Sequence, residues 1–250
     1  MNSLFSLTRL YLLGSLRRQA HLATLFLGVV LFMLPAYVNA FSLGVSTFEV
    51  VSKDFGLILI SYFTLAMAVL LGSTTVPNDR EARSIYPVLA RPVSRGLYLA
   101  AHLLAVVGML AGSLLFLGAC LTLSIGMMVR HFDLSLSVAL YGSFLQAVVI
   151  AAICMMASIR WSSAVSGALG VVLFIVGHLS GDLFRLILGP HLGPLGKALV
   201  PDLSVLALKN LVVHGFAIGP LYLLQTTLYA SGWACLAWWA ARETFEEVDL

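Results

Sequence analysis

At 250 residues, with 60% hydrophobic residues, 10% charged residues and a mean hydropathy of +1.01, the chain lies far from soluble proteins, in which about a quarter of residues are charged. A single water-facing core cannot absorb so much Leu, Val and Ala, whereas lipid can, provided that every backbone polar group is satisfied inside helices or a closed barrel. The net charge of +3 is modest, and the basic residues stand at the ends of apolar runs rather than along one face, which leaves no footprint for a nucleic-acid partner.

The apolar runs are too long and too continuous for barrel strands, which alternate every second residue. An all-α integral membrane protein is therefore predicted. Residues 1–20 carry Arg9, Arg17 and Arg18. At 100° per residue they form no clean amphipathic stripe, because Arg18 falls on the side of Leu4 and Tyr11; an interfacial helix with snorkelling arginines is expected. With Val38-Asn39-Ala40 this start has the outline of a secretory signal and its cleavage site. The apolar run from Leu22 to Leu34, however, continues through Pro35 toward Leu43 at spanning length, so a membrane crossing is expected instead of cleavage.

Charge-free intervals mark the spans, since an ionisable group at the bilayer centre costs roughly 2.5–3.5 kcal/mol even on lenient insertion scales. Six follow: His21 to Leu43, Phe55 to Val76, Leu97 to Val129, Leu134 to Ser158, Ser162 to Ser180 and Gly219 to Ala241. Each is near or above the ~20 helical residues that cross a bilayer. The third exceeds that length and is predicted to tilt or project.

Between the second and third spans, Pro77 to Leu97 reads PNDREARSIYPVLARPVSRGL and holds six of the chain's Asp, Glu, Lys and Arg residues. Asn78 as N-cap and Glu81 three residues on form a capping-box pattern, which predicts a short helix starting at Asp79. Asp79 and Glu81 suit the positive end of its dipole. Ile85, Val88 and Leu89 give it an apolar side, and Pro87 and Pro92 force turns before the next span begins near Gly96. Within that span His102 is the most pointed polar residue. It either sits near the inner interface, about two turns from Arg95, or lines a path or pairs with the charged segment.

The segment Gly181 to Ile218 is too polar to be lipid-buried throughout and too apolar for a free loop. Pro190, Pro194 and Pro201 divide it, and its longest predicted helical piece, Asp202 to Val213, is too short to cross a bilayer. It is expected to lie on or dip into the outer leaflet. In the last span Trp238 and Trp239, near Arg242, read as an aromatic belt at the inner surface, and Trp233 lies deeper.

Counting basic residues by side places both termini in the cytoplasm. Arg9, Arg17, Arg18, Arg80, Arg83, Arg91, Arg95, Arg160 and Arg242 then lie inside, against Lys53, Arg130, Arg185, Lys197 and Lys209 outside, as the inside-positive rule demands. Cys120, Cys154 and Cys235 fall in apolar runs at no metal or disulfide spacing. Gly193-Pro194-Leu195-Gly196-Lys197-Ala198 echoes a phosphate loop, but His191 stands at the first glycine position, Ala198 replaces Ser or Thr, and no strand precedes it. His178 and Asp182 share a helix face without further ligands, and Ser180 is one place off the order of a nucleophile elbow. An interfacial histidine and an Asp182–Arg185 pair explain these residues without a chemical site.

Glu81-Ala82-Arg83-Ser84-Ile85-Tyr86-Pro87-Val88-Leu89-Ala90-Arg91-Pro92-Val93-Ser94-Arg95 resembles the first cytoplasmic loop of ABC-2 type transporter permease subunits, in which an acidic residue and a short spacer precede a Leu-x-x-Pro-Val-Ser-Arg run. The N-terminal interfacial segment, six spans, short interfacial or re-entrant helices before the last span, and the C-terminal Phe245-Glu246-Glu247-Val248-Asp249-Leu250 agree with that family. The resemblance implies a coupling helix docked on a separate ATPase subunit. Asp79, Arg80, Glu81, Arg83, Ile85 and Tyr86 would be the coupling residues, with Arg80 and Arg83 meeting acidic groups and Ile85 and Tyr86 supplying buried anchor area. Pro87, Arg91, Pro92 and Arg95 would anchor the loop, its arginines at the headgroups. Without the resemblance, the same arginines equally satisfy the inside-positive rule alone.

The resemblance implies a dimer of permease subunits in a bacterial cytoplasmic membrane, exporting an amphipathic or lipid-like substrate. ATP and Mg would be held by the partner ATPase and no cofactor by this chain. Two other classes stay open. An intramembrane enzyme needs convergent catalytic groups, and the spans offer only His102 and His178 with no carboxylate. A carrier or scaffold would need no ATPase.

Overall fold

A computed structural model describes residues 2–16, 20–40, 45–82, 94–130, 133, 135–179, 200–213, 216 and 218–247. These residues form eight helices and no strand: α1 (Asn2–Leu16), α2 (Ala20–Asn39), α3 (Val45–Glu81), α4 (Arg95–Val129), α5 (Ser135–Ala157), α6 (Ser163–Leu179), α7 (Lys209–Val213) and α8 (Pro220–Glu246). Three stretches are long and apolar enough to cross a membrane: Phe48–Glu81, Arg95–Val129 and Ser135–Ala157. Leu22–Val38 and Ser163–Leu179 are shorter apolar helices. The chain is thus an all-helical protein whose long apolar helices point to a membrane.

Side-chain contacts fix the helix directions. Asp79 at the end of α3 meets Tyr98 at the start of α4, and Lys53 near the start of α3 meets Asp133 between α4 and α5. Ile159, just beyond α5, accepts from Arg80, while Phe245 in the last turn of α8 accepts from Arg95. One end of the bundle therefore gathers Asp79, Arg80, Arg95, Ile159 and Phe245; the opposite end gathers Glu49, Lys53 and Asp133.

The most enclosed helix is α5, set among α3, α4 and α8. Leu145, Ala147, Val149, Ile150 and Cys154 of α5 lie in one cluster with Met67 and Leu71 of α3, Val106 and Leu110 of α4, and Ala230, Ala234 and Ala237 of α8. Two positions show why small residues stand at these crossings. A Cβ at Gly72 would lie 2.6 Å from the Ala151 carbonyl oxygen, and one at Gly142 2.6 Å from that of Leu206. Backbones approach there because no side chain separates them, as in membrane helix pairs generally.

The boundaries depart from the expected spans where charge is neutralised. The second expected span, Phe55 to Val76, is part of a helix running from Val45 to Glu81. At its start Lys53 binds both Glu49 at 2.5 Å and Asp133 at 2.6 Å, so these charges do not end the helix. At its far end Asn78 is no N-cap. Asn78 to Glu81 form the last turn of α3, beyond Pro77, and Ala82 N still donates to Asn78 O at 2.9 Å. The capping-box reading fails because Asp79 and Arg80 are held by other helices, which outweighs a local cap worth about 1 kcal/mol.

The expected helix from Asp202 to Val213 is also corrected. Residues 203–206 form turns, and only Lys209–Val213 is helical. Leu203, Leu206 and Leu208 are buried, and the Gln146 side-chain amide donates to Leu203 O at 2.8 Å. Burying three leucines and satisfying that carbonyl from outside replaces the helical pattern. Helix α8 extends past Ala241 to Glu246 because Phe245 is fully buried. Pro190, Pro194, Asp182, Ser180, Arg185, Gly193 to Ala198 and the start of the segment from Gly181 lie outside the described residues.

Candidate functional site

Of the residues marked by the sequence, Asp79, Arg80, Glu81 and Arg95 are described, and Arg83, Ile85, Tyr86, Pro87, Arg91 and Pro92 lie outside the described residues. Ser94 caps α4, its hydroxyl accepting from Leu97 N at 3.3 Å. A serine directly after the proline-bearing stretch signals that cap in the sequence. The described flanks, the last turn of α3 and the first turn of α4, stand side by side.

Asp79 is the hub. Its Oδ2 accepts from the Tyr98 hydroxyl at 3.0 Å, and His102 Nε2 lies 3.1 Å from the same oxygen. That is ion-pair distance for a protonated imidazole, without the alignment of a hydrogen bond; among the described residues neither His102 ring nitrogen has a hydrogen-bond partner. His102 is 1% exposed, and the structure pairs it with Asp79 at the start of the charged segment. Its ring stacks on Tyr11 of α1, centroids 3.8 Å apart, and meets Tyr98 edge-on at 4.5 Å. Burial, and then the Asp79 charge, push the Tyr11 hydroxyl far above the usual phenol range, so it stays protonated. The carboxylate thus ties α3 to α4, and α1 joins them through the stack of Tyr11 on His102.

Beside this hub two guanidinium groups hold the end of α8. Arg80 Nη1 donates to Ile159 O at 2.9 Å, and Arg95 Nη1 donates to Phe245 O at 2.7 Å and Glu246 O at 3.1 Å. Both guanidinium carbons lie over the Phe245 ring, at 5.8 Å and 5.7 Å, where the ring quadrupole attracts them. Tyr98 stacks on the same ring at 5.9 Å. Arg95 also places positive charge where α8 ends in unsatisfied carbonyls, the favourable sign for its dipole. Arg80 Nε and Nη2 are buried without a hydrogen-bond partner among the described residues. Tyr98 carries no motif, and Phe245, marked only as part of the C-terminal run, gives no signal in the sequence that it receives these arginines.

The remaining marked residues are simpler. Glu81 is exposed. Trp238 donates from Nε1 to Gly96 O at 3.3 Å, and Trp239 is exposed. His178 Nδ1 is 3.1 Å from Phe174 O, its ring against Phe174. Cys154 is buried, Cys120 half-buried and Cys235 exposed, all as free thiols. Arg160 pairs with Glu247 at the surface, where such pairs contribute little.

The site is a joint at which α1, α3, α4, the α5–α6 turn and α8 meet. No family model and no curated protein matches the chain.

Proposed function

We propose that the chain is the transmembrane subunit of an ABC exporter of the ABC-2 type, and that force enters at the joint beside Asp79. In this reading α2, α3, α4, α5, α6 and α8 all cross a bacterial cytoplasmic membrane, and α1 lies at its inner surface. Both termini are cytoplasmic and two such subunits work as a dimer. A separate ATPase binds the segment after Glu81, holding ATP and Mg in its own site, and the exported substrate is amphipathic or lipid-like.

The observation that carries the reading is the way the charged segment is rooted. A push on a loop moves a bundle only if both loop ends are fixed to several helices. Here the last turn of α3 and the first turn of α4 are linked to each other through Asp79 and Tyr98, and to α8 and Ile159 through Arg95 and Arg80. Arg80 faces this chain's own elements, so contact with an ATPase falls to exposed Glu81 and the residues after it.

The test is to purify the chain from its native membrane and measure ATP hydrolysis that accompanies it. Hydrolysis is expected with the wild type and lost in the double variant Glu81→Lys, Arg83→Glu, with an unchanged melting temperature. A wild-type preparation carrying no ATPase, or a charge-reversed variant that keeps it in full, overturns the proposal.

A further inference from the structure

We propose that a cavity between α1, α2, α3 and α4 seats one acyl chain of a membrane phospholipid. The inference rests on α3 and α4 crossing a bilayer and not on the transport proposal. The cavity has a volume of about 350 Å³, and Leu12, Leu25, Met67, Met109 and Phe116 form its apolar walls. Its two hydroxyls are already engaged: Ser113 Oγ donates to Leu110 O at 3.0 Å, and Thr24 has a partner within the chain. A water molecule needs two to four polar partners, and apolar cavities stay dry. Water is therefore the wrong occupant for a space many times the size of one molecule.

The position of the opening decides what replaces it. Gly112 lies midway along α4, a helix long and apolar enough to cross a membrane, and the rim residues Leu25 and Phe116 are 52% and 39% exposed. At that depth the surrounding medium is hydrocarbon. The slot follows α4 from Gly108 to Phe116, roughly 12 Å at 1.5 Å per residue, and is shaped by two glycines. A Cβ at Gly108 would meet Leu12 Cδ1 at 2.8 Å, so α1 packs closely there, whereas a Cβ at Gly112 meets nothing within 4 Å. An apolar space of this volume along one helix suits one acyl chain. Arg9, exposed and one turn before Leu12 on α1, is the basic residue nearest in sequence to this lining, and basic side chains attract headgroup phosphates.

Because a Cβ at Gly112 meets nothing within 4 Å, side chains can be introduced at this position to occupy the space. The full chain, purified in detergent, is analysed by native mass spectrometry for bound phospholipid. Wild type is expected to retain one phospholipid per chain, and Gly112→Leu to reduce its occupancy about tenfold, equivalent to ~1.4 kcal/mol, with melting unchanged or raised as the helix loses a glycine. Gly112→Ala, a milder change, should show part of the loss and decides the matter if Gly112→Leu does not fold. Four results would overturn the proposal: no phospholipid on wild type, equal retention by the folded variants, release of an amphiphile other than phospholipid, or a dimer dissociated by the substitution with lipid content unchanged. The last would make the slot a contact between two copies of the chain.

Discussion

Phe245 shows how one side chain can hold an end of a bundle. It is fully buried with Val76, Tyr98, Leu99, Met155 and Ile159, and its ring receives two guanidinium groups and a stacked tyrosine. Truncation removes the apolar volume and leaves Arg80 and Arg95 without their ring. Phe245→Ala is expected to cost about 3–5 kcal/mol, as Phe truncations in cores do, read as a lowered melting temperature in detergent. Phe245→Leu keeps most of the volume and should cost less. Tyr98→Phe isolates the polar part, because it removes only the hydroxyl bonded to Asp79. A loss of about 1.5–3 kcal/mol is expected for a hydrogen bond to a carboxylate, and equal melting of the two proteins would show that Asp79 finds another donor.

At the scale of helices, close approach and open space make opposite predictions for one chemical change. Gly72 lies where α3 meets α5, and a Cβ there would press on the Ala151 carbonyl oxygen at 2.6 Å and on Cys154 Cβ at 2.9 Å. Neither neighbour is the flexible tip of a side chain. Gly72→Ala should therefore destabilise by roughly 1–3 kcal/mol, the usual cost of overpacking. Gly232 on α8 has nothing within 4 Å of the same position, and Gly232→Ala should stabilise by up to about 1 kcal/mol through helix propensity alone. Melting curves of the pair decide both. The same contrast explains what the sequence could reveal. Helices α4 and α5 fall within a residue or two of their expected limits because no charge interrupts them. Helix α3 outruns its expected limits by several residues at each end because Lys53, Asp79 and Arg80 are compensated by residues far along the chain, with Glu49 paired to Lys53 on the same helix. A charge-free interval measures local composition, and the partners Asp133, Tyr98 and Ile159 are not local. The joint itself was only half legible. Asp79, Arg80 and Arg95 stand out as charges among apolar runs, whereas Tyr11, Tyr98 and Phe245 resemble any other aromatic residue of a membrane chain.

Taken whole, the molecule has two ends held by different sets of contacts, and the Lys53–Asp133 end carries its own response to acid. At the Asp79 end, guanidinium groups donate to the backbone carbonyls of Ile159, Phe245 and Glu246 beside the Asp79 carboxylate. At the opposite end the clasp between α3 and the α4–α5 connection is Lys53 to Asp133 at 2.6 Å. Burial raises the Asp133 carboxyl, but the hydrogen bonds from Lys53 and Ser135 outweigh it and hold the group at about 2, below its ordinary 3.8. A carboxylate depressed in the folded state adds stability that is complete above the ordinary value and is lost as pH falls through the folded one. The clasp should therefore be intact at pH 5 and loosen between about 4 and 2. Because Asp133 is partly exposed, with 28% of its side chain accessible, solvent screening keeps the effect small. Melting followed by tryptophan fluorescence over that range should show an acid-dependent decrease in the wild type. Asp133→Asn cannot titrate, so it should melt lower than wild type at pH 5 and lose less on acidification. Parallel pH curves for the two proteins would mean that another carboxylate, with Glu49 on the same lysine the first to examine, governs the acid response of that end.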